Sequence, residues 1–341
     1  MDTSLTSYRD RLQERVLALL WQQWCALGVF GNAPPPGIRI IDPEALIAAT
    51  SSFGRADPRM FDEMLDWLKT NGSFVNTQRL RTMLGAHAFR STAVVSATAA
   101  FLRQHDKSAR WRSLAERERP TETEPLFHFR DGKPMPSFGT VDAVFAEHGF
   151  LRGRIELRGY SQVFDQGLPA CLGMRLRALF GVNVRAEAAL FLMAHREGAN
   201  PNAMSRRIGY SQRSVQDALV AMARSGWIHM RQAGREGIYT LGPELSAALG
   251  AGIAEQAQWT AWAPAFRYLE ALWLALAEPG FGGLGPELQA AELRRAVEDS
   301  QDRTAAAGFA AVFSTAVSPR GEDYVRFTLR TAEDLLDALG R

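Results

Sequence analysis

A chain of 341 residues, 46% hydrophobic and 22% charged, is long enough for two or three domains and too apolar to be an intrinsically disordered polymer. Its formal charge of +2 names no partner class, so any electrostatic signal must come from how charge is distributed along the sequence. The two cysteines, Cys25 and Cys171, stand far apart without a C-x-x-C pattern, which argues against a disulfide framework or a zinc cluster and for a reducing, cytoplasmic setting.

The N-terminal stretch interrupts its apolar positions with Asp, Arg, Glu and Gln, unlike a signal peptide or a spanning segment, which needs about 20 apolar residues. No membrane partner is expected. Residues 1–118 read as a helical N-terminal domain. Asp42-Pro43 and Asp57-Pro58 each offer an acidic cap followed by proline at the first helical position. The second leads into a helix with Phe61, Met64, Leu65 and Leu68 on one face, ended by Asn71-Gly72. Further helices are predicted over Thr77–Leu84, where Asn76 is the cap, over Ser91–Gln104 and over Ser108–Glu118. Residues 119–150 are predicted to be a linker. Charge and proline crowd residues 116–139, and Asp131-Gly132 suits the turn of a small hairpin.

Residues 151–242 form a basic segment: positions 151–241 hold thirteen arginines against six acidic residues. A helix over Arg185–Arg196 is followed by the Gly198-Ala-Asn-Pro201 break, a short helix over Asn202–Ile208 and a Gly209-Tyr210 corner. Ser211 then caps a third helix that runs to Ser225, with Gly226 beyond it. On this helix Val215, Ala218, Leu219 and Met222 share the inner face, leaving Arg213, Gln216 and Asp217 outside. Two short strands, WIHMRQ and IYTL, flank a glycine-bounded tip carrying Arg235.

Over residues 183–241 the order and spacing of these elements resemble the winged helix-turn-helix domains of bacterial transcriptional regulators of the MarR and ArsR kind. The resemblance implies that the Ser211–Ser225 helix enters the major groove of double-stranded DNA, with Gln212, Arg213 and Gln216 near base edges and Arg235 on the wing near phosphate or the minor groove. The chemistry of the residues agrees with that assignment. Guanidinium pairs with guanine and a Gln amide with adenine, whereas long arginine arms such as Arg206, Arg207, Arg231 and Arg235 suit phosphates. Tyr210, Ser211 and Ser214 complete the candidate DNA-binding set. Asp217 beside that face would repel phosphate, and winged helices also dock proteins, so an interaction or antitoxin-like module with an unidentified protein partner is the alternative.

Residues 243–341 read as a helical C-terminal domain. Trp259, Trp262, Phe266, Leu269, Trp273 and Leu276 follow alternating spacings of three and four, a stripe that predicts either internal core or a homodimer seam. A dimer would suit palindromic half-sites. Gly280–Gly285 matches G-x-G-x-x-G, but a helical pattern precedes it where a strand is needed and Pro286 follows it, so no dinucleotide cofactor is expected. The six histidines lack metal-ligand spacing, and no G-x-S-x-G or paired buried carboxylates stand out. Enzyme activity is not expected. The fold class predicted is mostly α: a helical N-terminal region, a central winged helix-turn-helix with a two-stranded wing, and a helical C-terminal region.

Overall fold

The computed structural model describes residues 3–341 apart from 107, 117–121, 138, 235, 249–251, 253–255 and 316–317. Helix α1 (Thr3–Ala26) repeats an apolar residue every fourth position, and Leu12, Val16, Leu20 and Trp24 are fully buried on that face. The Asp42 carboxylate accepts from the Glu44 and Ala45 amides and so starts α2 (Pro43–Phe53), every residue of which is buried. Asp57 caps α3 (Pro58–Asn71) through the Met60 amide, and Asn76 caps α4 (Thr77–His87) through the Arg79 amide. Helix α5 (Thr92–His105) follows.

The next helix, expected over Ser108–Glu118, is a single turn in the structure, α6 (Arg112–Ala115). Asp106 accounts for much of the shortening, because its carboxylate takes both the amide and the hydroxyl of Ser108 and holds that stretch in a local turn instead of a helix. Its expected last residues, 117 and 118, lie outside the described residues. Strand β1 (Glu124–Pro125) pairs in parallel with β2 (Phe150–Leu151) around α7 (Ala143–Glu147). Between them Asp131-Gly132 makes the expected turn, with the Phe129 amide donating to the Lys133 carbonyl. This segment is packed down: Leu126 and Phe145 are fully buried, and Arg55 donates to the Leu126 and Pro125 carbonyls.

Four helices come next, α8 (Leu172–Phe180), α9 (Val184–Ala194), α10 (Pro201–Ile208) and α11 (Gln212–Arg224). They lead into an antiparallel pair, β3 (Ile228–Ala233) and β4 (Glu236–Leu241), and then α12 (Pro243–Ala248). The chain ends in α13 (Trp262–Ala277), α14 (Pro286–Thr304) and α15 (Gly321–Leu339). The protein is mostly helical with one small antiparallel sheet. No described helix is long and apolar enough to cross a membrane.

Two hydrophobic cores organise these elements. In the larger one, helices from both ends of the chain interleave: the Tyr8 hydroxyl of α1 donates to the Leu329 carbonyl of α15 at 2.6 Å, and α13 is buried alongside α2. The aromatic stripe of α13 supplies this core, since Trp262, Phe266, Leu269 and Leu276 are buried within the chain and are not available as a seam between copies. The smaller core gathers α8–α11, the β3–β4 pair and Leu245 of α12, with Ile40 and Ala257 closing one side.

Candidate nucleic-acid interface

Capping side chains shape the α9–α11 region. Asn183 accepts from the Arg185 amide at the start of α9, and Asn200 from the Ala203 amide at the start of α10, where Pro201 fills the first position. Gly209 ends α10 in the left-handed conformation, φ 75°, which residues with a Cβ rarely adopt. Two residues later the Ser211 hydroxyl accepts from the Ser214 amide at 3.1 Å and starts α11. Val215, Ala218, Leu219 and Met222 are buried beneath it as their spacing predicts. The loop before α10 adds a bridge to β4, Ala199 exchanging both backbone bonds with Tyr239. Gly198 permits that approach, because a Cβ there would lie 2.3 Å from the Tyr239 carbonyl oxygen.

The candidate residues divide into groups. Ser211, Gln212, Arg213 and Ser214 stand exposed on the first turn of α11, and nothing covers that turn among the described residues. Gln216 is half-buried, and its amide donates to the Tyr239 hydroxyl at 3.2 Å, which ties α11 to β4. Arg231 is exposed on β3, and Arg235 lies outside the described residues. Arg206 and Arg207 are exposed on α10 but line a cleft toward the larger core. Tyr210 turns inward as well: its hydroxyl accepts from the Asn76 side chain at 2.6 Å.

The basic segment is therefore not one surface. Arg152 is buried against the larger core, where it pairs with Asp62 and lies over the rings of Phe127 and Phe145. Arg177 on α8 is buried too. It donates to both oxygens of Glu44 at 2.7 Å, to Glu187 at 2.8 Å and to the Phe74 carbonyl at 2.8 Å. Arg79 on α4 continues this network to Asp42 at 2.7 Å, to Glu44 and to the Ile208 carbonyl at the end of α10. Burial opposes charge on both arginines, but the surrounding carboxylates outweigh it and hold both guanidinium pKa values above their ordinary range. For Asp42 burial is again outweighed, by Arg79, and its carboxyl stays below the usual range.

Sequence reasoning did not find this junction. Its only trace is local: Glu44, Arg177 and Glu187 are charges set among residues that are otherwise apolar, and burial of such a charge requires a partner that linear spacing does not name. Each member is hydrogen-bonded to another, so the cluster holds elements together and presents no free acid or base. Among the described residues no three His, Cys, Asp or Glu side chains are placed to hold one metal ion. No protein-family model, curated protein or solved structure matches the chain.

Proposed function

We propose that the chain is a sequence-specific DNA-binding transcriptional regulator in which α10, α11 and the β3–β4 pair act as a winged helix-turn-helix. The observation that carries this reading is the uncovered first turn of α11, which presents Ser211, Gln212, Arg213 and Ser214 to solvent on a well-capped helix anchored by its buried inner face. Arg213 and Gln212 are the base-reading side chains, since their amide and guanidinium groups suit adenine and guanine edges in the major groove. Backbone amides at the α11 N-terminus favour a phosphate alongside them. Arg231 on β3 is the phosphate contact of the wing, joined by Arg235 as its place in the sequence between the two strands implies. Arg206, Arg207 and Tyr210 take no part, because the first two face the cleft and the third is held by Asn76.

A second reading rests on apolar exposure over the same core. Leu179, Trp227 and Met230 are 63%, 45% and 53% exposed, and Phe180, Met222 and Leu245 line a hollow of about 280 Å³ beside Trp227. Such a surface suits a protein partner. Selection of genomic fragments by the purified protein, followed by binding titrations across salt concentrations, separates the two. DNA recognition yields an enriched sequence and a log–log salt slope of about −0.9 per neutralised phosphate. Failure to enrich any sequence removes the regulator reading.

A further inference from the structure

The two cores face each other across a cleft of about 690 Å³, a volume within the range of roughly 300–1,000 Å³ typical of sites for small organic ligands. One wall is α10, from which Arg206 and Arg207 project; the opposite wall carries Arg303 at the end of α14 and His87 at the end of α4. The floor is aromatic. Trp262 is fixed by its indole N–H donating to the Ile40 carbonyl at 2.7 Å, and Trp259 stands edge-on to Phe191.

The charge in this cleft is unbalanced. Its acidic side chain, Asp42, is already taken by Arg79. Arg303 reaches the Ala86 carbonyl and Asp299, whereas Arg206 and Arg207 make no hydrogen bond or ion pair to any other described residue. The buried Nδ1 of His87 has no partner either. With Arg79 committed to Asp42 and Arg303 to Asp299, the guanidinium groups of Arg206 and Arg207 are left over and match a phosphate group, whose oxygens accept bidentate pairs from more than one arginine. The volume left over and the half-buried indole of Trp259 suit a planar heteroaromatic body attached to that phosphate.

We propose that this cleft is a binding site for a nucleotide, with its phosphates on Arg206 and Arg207 and its base against Trp259. The site does not depend on the DNA-binding reading, and its test contains no DNA. Fluorescent N-methylanthraniloyl derivatives of ADP and GDP are titrated by anisotropy into the full chain, into R206Q/R207Q, and into R185Q/R224Q, which removes the same charge from exposed positions of the same core outside the cleft. At least one nucleotide binds the wild type, R206Q/R207Q weakens it by about tenfold or more, and R185Q/R224Q stays within about twofold. Pyrophosphate competes more weakly than the unlabelled nucleotide, because it lacks the ring. Absence of binding by both nucleotides at about 1 mM, equal affinity in R206Q/R207Q with its thermal melt unchanged, or pyrophosphate competing as well as the nucleotide overturns the proposal.

Discussion

Arg213 and Arg177 are the same residue type in opposite circumstances, and their substitutions should fail in different assays. Arg213 is exposed on the first turn of α11 and makes no bond within the described chain, so Arg213→Ala leaves folding nearly unchanged. If it pairs bidentately with a base, the loss is about 1–3 kcal/mol of specific affinity and relaxed preference at one position. Gel-shift titration on the selected fragment measures it; unchanged affinity would take Arg213 off the reading face. Arg177 is buried between Glu44 and Glu187, and Arg177→Met leaves Glu187 without its cation and Glu44 with Arg79 alone. Breaking a buried pair from one side costs about 3–5 kcal/mol. Urea denaturation should show a large fall in midpoint for that variant and a smaller one once Glu187→Gln is added.

At the scale of elements, local chemistry made some helices legible and hid others. Asp42-Pro43, Asp57-Pro58, Asn76 and Ser211 announce helix starts within a few residues of sequence, and each side chain accepts the amide bond its position predicts. A cap is a short-range event, so the sequence carries it whole. The Ser211→Ala variant loses one such bond and should cost about 1 kcal/mol, read as a small drop in the melting midpoint together with weaker DNA binding. The opposite holds for the contact of α8 with α2, where Arg177 meets Glu44, 133 residues away, and for the pairing of α1 with α15, 321 residues apart at Tyr8 and Leu329; neither leaves a periodic mark beyond ordinary amphipathicity. The candidate face on α11 was legible because its inner positions repeat at three and four. The inward turn of Tyr210 was not, since Asn76 comes from a distant helix.

For the whole molecule, the decisive feature is that the smaller core is joined to the larger one by buried charge. Arg79 and Asn76 from α4 grip the end of α10 and Tyr210, and Arg177 joins α8 and α9 to α2, so separating the cores exposes ions that have lost their partners. One cooperative unfolding transition is therefore expected, seen identically by tryptophan fluorescence and far-UV circular dichroism; two resolved transitions would mean the junction is weak. Acid should weaken the molecule in a definite window. Burial, aided by the positive charge of Arg303, pushes the His87 imidazole down to about 4, with Asp299 and Asp42 opposing and Arg79 reinforcing the shift. The unfolded chain takes up this proton near the ordinary histidine value of about 6.5. Between those values the unfolded state binds more protons than the native one, so stability falls as pH falls. His105 and His128 are shifted down as well and add to this slope, whereas Asp62 and Glu270, raised by burial, act against it. The difference between wild type and His87→Gln isolates the one group. Urea midpoints recorded from about pH 7 to pH 4 should decline less steeply in the variant, and parallel curves would show that His87 takes up its proton in the native state as readily as in the unfolded one.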